Sequence, residues 1–293
     1  MQQRSSATMI SQAQQRTLHS IHYTLSYRVQ GEEHGREGAA LLLHGLPGSS
    51  FSWRSVMPAL AATRAVYAFD LLGYGDSDHP WPADVSIWGQ ADTLAPCLRQ
   101  LGLSQIILAG YDVGGGVAQV LATRLLIEQV RALVLISTTC YAQAFAANWP
   151  LPEMSKRQEP DAPRHTPLEQ LTGDLRATFP KGAARPTTLS AEVLDQYLAH
   201  WNTELGKEVL FQHIRQQVPN YSMSVASDMY WIHKPVLIIW GEQDEVLPST
   251  FARRLYRDIP DSRLALIPNT GHLVLEEAPD QVARLMNEFI AGL

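Results

Sequence analysis

Residues 106–116 read IILAGYDVGGG, and no other stretch indicates the fold as strongly. The first four residues are apolar, as in a strand that is covered on both faces. The glycines that follow allow a turn too tight for larger side chains, and helical spacing resumes from Gly115. The pattern G-x-D-x-G between strand and helix predicts that Asp112 is a nucleophile at the carboxyl end of a strand. An aspartate that only caps the helix would fit the same residues.

Strands and helices alternate on both sides of this turn. A half-buried strand is predicted at residues 19–30, where apolar and polar residues alternate. Short apolar runs predict buried strands at residues 39–43, 65–69, 106–109, 132–136, 235–240 and 263–267. Helical spacing is found at residues 51–62, 87–101, 115–126 and 279–291. This alternation predicts an α/β fold, with a mostly parallel central sheet and helices on both of its faces.

The strand rhythm stops in the middle of the chain. Residues 138–233 are rich in proline and contain stretches of helical spacing. We interpret this segment as an inserted helical cap that lies over the sheet. Residues 19–137 and 234–293 then form the α/β core, and residues 1–18, which are polar, form a mobile tail.

Composition and charge exclude several classes of function. The chain has 293 residues and a formal net charge of −6, which favours neither nucleic acid nor an anionic membrane as a partner. Cys97 and Cys140 form no CxxC pair, so we expect two reduced thiols and no metal site. The first residues lack the apolar stretch of a signal peptide, and no apolar run approaches the ~20 residues of a membrane span. We therefore expect a cytoplasmic protein.

Two more polar side chains follow predicted strands. Asp244 comes after the strand at residues 235–240, and His272 comes after the strand at residues 263–267. Because the carboxyl ends of parallel strands meet at one edge of a sheet, we expect Asp112, Asp244 and His272 to lie together. Their order along the chain, nucleophile then acid then base, is typical of a hydrolytic triad on such a sheet.

The loop after the strand at residues 39–43 supplies a further part of the predicted site. It reads HGLPG from His44 to Gly48. We expect the backbone N–H groups of Leu46 and Val113 to form an oxyanion hole beside the nucleophile. The side chain of His44 is expected to tie loops together and to take no part in the reaction.

These residues resemble the α/β-hydrolase superfamily over nearly the whole chain after the tail. Residues 70–77 read DLLGYGDS and are similar to the D-x-x-G-x-G-x-S loop common there, which marks the fold more than the chemistry. An aspartate in the elbow resembles two branches, the epoxide hydrolases and the haloalkane dehalogenases. Some dehalogenases carry the triad acid after the preceding strand, but here Ser137 and Thr138 stand at that place. Asp244 is therefore the preferred acid.

A carboxylate nucleophile narrows the expected reaction. Aspartate is ionised at pH 7 without the help of a base, and it is suited to displacing a leaving group from an alkyl carbon. The product is an ester between the alkyl group and Asp112. His272 would then activate water to hydrolyse that ester, with Asp244 stabilising the imidazolium.

The leaving group distinguishes the two branches. An epoxide oxygen leaves as an alkoxide and needs a proton donor, and the resemblance implies that tyrosines in or beside the cap supply it. The candidates are Tyr141, Tyr197, Tyr221 and Tyr230. Halide-binding sites of dehalogenases carry a tryptophan directly after the nucleophile, and a second tryptophan in the cap or an asparagine in the first loop. Val113 and Leu46 depart from that pattern, which leaves the cap residues Trp149, Trp201 and Trp231.

We therefore favour hydrolysis of a small hydrophobic epoxide to a diol, with water as the second reactant. The apolar character of the pocket is inferred from cap residues, namely Phe145, Trp149, Met154, Phe179 and Trp201. Three alternatives stay open: a haloalkane dehalogenase with an unusual halide site, an ester or lactone hydrolase in which Asp112 is a base for water, and a non-catalytic ligand-binding protein. No metal or organic cofactor is implied, and a homodimer is one option for the oligomeric state.

Overall fold

The structure, a computed structural model, describes residues 13–141, 162–217 and 219–293. One sheet runs through these residues. Its strands are β1 (Gln14–His19), β2 (Thr24–Gln30), β3 (Ala40–Leu43), β4 (Val66–Phe69), β5 (Ile106–Tyr111), β6 (Val130–Ile136), β7 (Val236–Gly241) and β8 (Ser262–Ile267). They are ordered β1-β2-β4-β3-β5-β6-β7-β8. β1 and β2 are antiparallel to their neighbours, and β3 to β8 are parallel, so the predicted mostly parallel sheet is confirmed.

Helices pack on both faces of this sheet. In the described residues they are α1 (Met57–Ala61), α2 (Ile87–Gln100), α3 (Val113–Val120), α4 (Ala162–His165), α5 (Leu168–Thr178), α6 (Ala191–Leu198), α7 (Glu204–Gln216), α8 (Pro219–Ala226), α9 (Thr250–Asp258), α10 (Val274–Glu277) and α11 (Pro279–Ala291). Alternate side chains of β3 enter two separate cores. Leu41 and Leu43 pack with α2 and α3, whereas Ala40 and Leu42 pack with α1 and α11. A strand covered on both faces therefore reads as a continuous apolar run.

The amino-terminal part differs from the prediction. Residues 19–30 were expected to form one strand after a tail of residues 1–18. Residues 14–19 instead pair with β2 as an antiparallel strand, and the Ser20 N–H group donates to the Tyr23 carbonyl in the turn between them. The side chains of β1 are mostly exposed, so no apolar alternation signalled this strand. Residues 1–12 lie outside the described residues.

The helix predicted at residues 51–62 is also divided. A 3₁₀-helix covers Ser50–Trp53, and α1 begins only at Met57. The Ser50 N–H group donates to Asp70 Oδ1 at 2.6 Å, which holds the first turn against the loop after β4. This contact between distant loops decides the local structure more than helical spacing does.

The inserted segment, residues 138–233, contributes α4 to α8 between β6 and β7. Residues 142–161, which include Phe145, Trp149 and Met154, lie outside the described residues. Among the residues that the structure describes, no helix combines the length and the apolar character that a membrane crossing needs.

The turn between β5 and α3 is as tight as its glycines predict. Asp112 adopts φ 52° and ψ −120°, a conformation that a residue other than glycine adopts only under strain. A Cβ atom on Gly110 would lie 2.3 Å from the Gly114 carbonyl oxygen, and one on Gly115 would lie 1.9 Å from Thr138 Oγ1. Because neither position tolerates a side chain, the glycine pattern is a packing requirement of the turn.

Gly115→Ala should therefore destabilise the protein by about 3 kcal/mol, since the added methyl group overlaps Thr138. Gly173→Ala is the matched control. It lies exposed in α5, and its added methyl group meets no atom within 4 Å, so removing a flexible glycine should stabilise the helix by roughly 0.5–1 kcal/mol. Denaturant unfolding of both variants measures the difference. Equal stabilities would contradict the packing account of this turn.

Candidate active site

Three side chains from three strand ends meet at the carboxyl edge of the sheet. Asp112 follows β5, Asp244 follows β7 and His272 follows β8. His272 Nδ1 lies 3.0 Å from Asp244 Oδ2, and His272 Nε2 lies 3.9 Å from Asp112 Oδ1. All three residues are buried. The structure thus brings together the three residues that the sequence analysis selected.

Asp244 is held so that it can orient the histidine. Its Oδ1 atom accepts the backbone N–H groups of Val246 and Leu247, at 2.9 and 2.8 Å. Its Oδ2 atom faces His272 Nδ1. The imidazole therefore donates from Nδ1 and directs Nε2 towards Asp112, which is the tautomer that a general base at this place needs. The backbone N–H group of His272 donates to the carbonyl of Gly182 in the inserted segment, at 2.7 Å.

The two oxygens of Asp112 have different surroundings. The Leu46 N–H group donates to Oδ2 at 2.9 Å, and the Val113 N–H group also acts on the carboxylate. Oδ1 has no hydrogen-bond partner among the described residues and is the oxygen nearest His272. Gly45 makes this arrangement possible, because a Cβ atom there would lie 2.4 Å from Asp112 Cβ. One oxygen is thus held by the backbone N–H group of Leu46, and the other accepts no hydrogen bond from the described residues.

Burial dominates the acidity of Asp112. It raises the pKa from 3.8 to about 6, against the opposing effects of His272 and of the Leu46 and Val113 N–H groups. Burial also lowers the pKa of His272, but the negative charges of Asp244 and Asp112 outweigh it and leave that pKa raised. At neutral pH, Asp112 is an ionised and poorly solvated carboxylate, which is a more reactive nucleophile than one in water.

His44 has the structural place that the sequence analysis expected. Its Nε2 atom accepts the Leu71 N–H group at 3.0 Å, and Nδ1 lies 2.9 Å from the Gly45 carbonyl oxygen. Burial lowers the pKa of His44 to about 4, so the ring is neutral and can act as an acceptor. It joins the loop after β3 to the loop after β4.

Among the predicted leaving-group residues, Tyr197 lines a pocket beside the loop that carries Leu46, but the buried hydroxyls are engaged with carboxylates. The Tyr141 hydroxyl donates to Asp258 Oδ2 at 2.7 Å, and the Tyr197 hydroxyl donates to Glu276 Oε1 at 2.5 Å. Tyr221 is half-buried on α8, and Tyr230 is 53% exposed. Trp149 lies outside the described residues. The two hydroxyls that are buried in the inserted segment or beside it are therefore already engaged with carboxylates.

The two tryptophans of the inserted segment that the structure describes, Trp201 and Trp231, are not arranged as halide donors either. The Trp201 indole N–H group donates to the carbonyl of Pro47 at 2.8 Å. Trp231 is 76% exposed. Trp201 instead fixes the inserted segment to the loop that carries Leu46.

A buried ion pair next to the triad was not anticipated. Arg54 donates through both terminal nitrogens to Glu276, at 2.6 Å each, and both side chains are 7% exposed. Glu276 also accepts the Tyr197 hydroxyl, so the pair joins the loop after β3, the loop of His272 and the inserted segment. The acidic residue Glu276, four residues after His272, could have indicated a further polar group near the site. Its partner could not be predicted, because Arg54 lies 222 positions away in the sequence.

A small pocket opens between this ion pair and the oxyanion hole. Apolar and aromatic side chains make up most of its wall, with Glu276 and Ser52 as polar members. The lining residues are Gly45, Leu46, Gly48, Ser52, Tyr111, Phe179, Tyr197, Leu273, Leu275 and Glu276. The wall therefore combines apolar side chains with the polar groups of Ser52 and Glu276.

Asp112→Asn should make the protein more stable above pH 7, by about 2 kcal/mol. The pKa of the folded carboxyl, about 6, exceeds its usual 3.8, so wild type loses stability as the pH rises from about 4 through 6. The amide carries no charge and avoids that loss. Urea unfolding at several pH values should show the difference above pH 7 and none near pH 4. A difference that is independent of pH would contradict the assignment, and Asp174→Asn, exposed on α5, should match wild type throughout.

Glu276→Gln should destabilise the protein by about 3 kcal/mol, because it leaves the buried Arg54 charge without its partner. Glu288→Gln is the control, since the Glu288–Arg284 pair lies on the surface with side chains 61% and 60% exposed. Its cost should stay within about 0.5 kcal/mol. Thermal and denaturant unfolding measure both. Equal costs would show that the buried pair contributes no more than a surface pair.

The geometry agrees with comparisons to known proteins. Residues 40–279 match the family described as alpha/beta hydrolase fold. Haloalkane dehalogenase 2 of Mycobacterium tuberculosis (strain ATCC 25618 / H37Rv) is 28% identical over 278 residues, which are 89% of this chain and 91% of that protein.

Two solved structures share the architecture. An alpha/beta hydrolase fold protein from Burkholderia ambifaria has a TM-score of 0.81 at 26% identity, over 94% of this chain and 100% of that one. Epoxide hydrolase CorEH has a TM-score of 0.77 at 22% identity, over 96% of this chain and 99% of that one. The chain belongs to the α/β-hydrolase fold family and is a hydrolase of that fold.

Proposed function

We propose that the protein hydrolyses a small hydrophobic epoxide to a diol through an alkyl ester of Asp112. The observation that carries the proposal is the unequal environment of the two carboxylate oxygens. Oδ2 accepts the Leu46 N–H group, whereas Oδ1 is held by no donor among the described residues and faces His272. A carboxylate with one oxygen fixed and one open is oriented for attack on carbon.

In the first step, Asp112 Oδ1 attacks a ring carbon, the epoxide C–O bond breaks, and the departing oxygen takes a proton from a donor to give a hydroxyalkyl ester. The carboxylate becomes an ester and loses its negative charge. That charge is one of the influences that raise the pKa of His272, so ester formation leaves the imidazole easier to deprotonate. The histidine is thereby prepared as a base for the second step.

In the second step, His272 accepts a proton from water, and the resulting hydroxide attacks the ester carbonyl carbon. Negative charge develops on Oδ2, the atom that already accepts the Leu46 N–H group. Asp244 stabilises the imidazolium through Nδ1. Collapse of the tetrahedral intermediate breaks the alkyl ester bond, releases the diol and restores the carboxylate.

Contacts between the inserted segment and the core support its proposed role as a cap. Gly182 accepts the His272 N–H group, Tyr197 donates to Glu276, and Trp201 donates to the Pro47 carbonyl. Each of these contacts ends on a triad residue, or within four residues of a triad residue or an oxyanion donor. The segment would therefore exclude water from the site and give the pocket its apolar wall.

Haloalkane dehalogenation is the second candidate. The observation that favours it is the 28% identity to a protein named haloalkane dehalogenase 2. Against it, Leu46 and Val113 have no side-chain N–H group, and the Trp201 indole already donates to Pro47. A leaving halide needs N–H donors around it, whereas the departing oxygen of an epoxide needs one hydroxyl as a proton donor.

The products distinguish the two candidates. With a panel of small aryl and alkyl epoxides and of chloro- and bromoalkanes, the protein should form diols and release halide at least about 100-fold more slowly. Asp112→Asn should lower diol formation by roughly 10³-fold or more, because the nucleophile is lost. The exposed Asp174→Asn variant should retain the wild-type rate. Halide release without diol formation would establish the second candidate, and activity that survives in Asp112→Asn would exclude the covalent mechanism.

A further inference from the structure

Tyr74 is a buried tyrosine to which the reaction above assigns no role. Its side chain is 1% exposed, and its hydroxyl has no hydrogen-bond partner among the described residues. It belongs to the loop at residues 70–77, which the sequence analysis interpreted as a marker of the fold. Buried hydroxyls are almost always hydrogen-bonded, so an unbonded one indicates a group that a ligand or a water molecule completes.

The ring of Tyr74 lies at the boundary between the core and the inserted segment. On the core side it meets the ring of His44 edge to face, with centroids 4.8 Å apart. On the other side it contacts Trp201 at 5.5 Å and His213 at 4.0 Å. Because Trp201 is bonded to the carbonyl of Pro47, this boundary lies directly beside the oxyanion loop.

The same neighbours place Tyr74 close to Asp112. The carbonyl of His44 packs against the first turn of α3, where a Cβ atom on Gly114 would lie 2.3 Å from it. Gly45, the next residue, touches the Asp112 side chain. Burial first, and then the charge of Asp112, raise the pKa of the Tyr74 hydroxyl well above 10, so the phenol keeps its proton in the free protein.

The other buried tyrosine hydroxyls near the site cannot donate to a substrate without breaking a bond that they already make, and that of Tyr111 donates to the His272 carbonyl at 3.1 Å. Tyr141 is engaged with Asp258 and Tyr197 with Glu276. Tyr74 combines full burial, a position near Asp112 and a hydroxyl that donates to no group in the described part of the chain.

We propose that the Tyr74 hydroxyl is the proton donor to the departing epoxide oxygen, an inference that rests on the proposed function. As Asp112 Oδ1 forms its bond to carbon, the C–O bond breaks and its electron pair takes the phenolic proton. The products of this step are the neutral hydroxyalkyl ester and a tyrosinate. The donor then comes from the core loop after β4, and no tyrosine of the inserted segment is needed.

The proton that Tyr74 loses in the first step is returned after the second step. Ester formation removes the Asp112 charge that disfavours a tyrosinate, so the phenolic proton leaves together with the reaction of the carboxylate. His272 takes one proton from the attacking water and, after release of the diol, that proton returns to Tyr74 through water. The sum is epoxide plus water giving diol, with every group of the protein restored.

The test compares rates of alkylation in a background that traps the ester. His272→Ala should accumulate an adduct on Asp112 with a reactive aryl epoxide, followed by intact mass. The double variant Tyr74→Phe/His272→Ala should form that adduct about 100-fold or more slowly. Tyr67→Phe/His272→Ala is the matched control, since Tyr67 is equally buried but lies on β4 and packs against Tyr27, and its rate should stay within about threefold.

A second readout separates donation from a structural effect. In the Tyr74→Phe variant with His272 intact, the rate of adduct formation should fall. The rate at which the adduct is then hydrolysed should stay within about threefold of the wild-type rate. Thermal unfolding should be unchanged, because the substitution removes only an oxygen without a bond. Adduct formation at the His272→Ala rate in the double variant would overturn the assignment of Tyr74, as would an equal slowing of both steps. No adduct on Asp112 in His272→Ala itself would instead overturn the proposed function.

Discussion

The hydrogen bond from the Leu46 N–H group to Asp112 Oδ2 is the interaction on which the rest of the site depends. It gives the two carboxylate oxygens different surroundings: Oδ2 accepts a hydrogen bond, and Oδ1 lies 3.9 Å from His272 Nε2. The bond requires close approach of two loops, which the parallel pairing of Leu43 with Gly110 sets up and which the absence of a side chain at Gly45 permits. The register of the sheet and the glycine at position 45 are therefore both required for the position of the Asp112 carboxylate.

Charge is the second organising principle. Two carboxylates and one imidazole are buried within hydrogen-bonding or near-contact distance, and burial opposes the charge on each of them. Asp244 is compensated by two backbone N–H groups, whereas Asp112 has the raised pKa of a carboxylate that is only partly compensated. In the proposed reaction, formation of an ester at Asp112 would remove this charge and, with it, the free-energy cost of burying the charge.

The sequence predicted those parts of the fold and site that depend on short local patterns. Apolar runs predicted the parallel strands. The polar residues just after three of these strands, Asp112, Asp244 and His272, were predicted to lie together because the strand ends share one edge of the sheet. Contacts between distant segments could not be predicted in this way. The Arg54–Glu276 pair joins two loops with no common pattern, and β1 shows no alternation because its side chains are exposed.

A single turnover in heavy-oxygen water tests the central claim most directly. With enzyme in excess over epoxide, the account predicts that ¹⁸O enters the Asp112 carboxylate, seen as a mass increase of the peptide that contains it, while the first diol carries an oxygen from the protein. Label in the diol alone, with an unlabelled Asp112 peptide, would contradict the account, because water would then have attacked the substrate without an ester of Asp112.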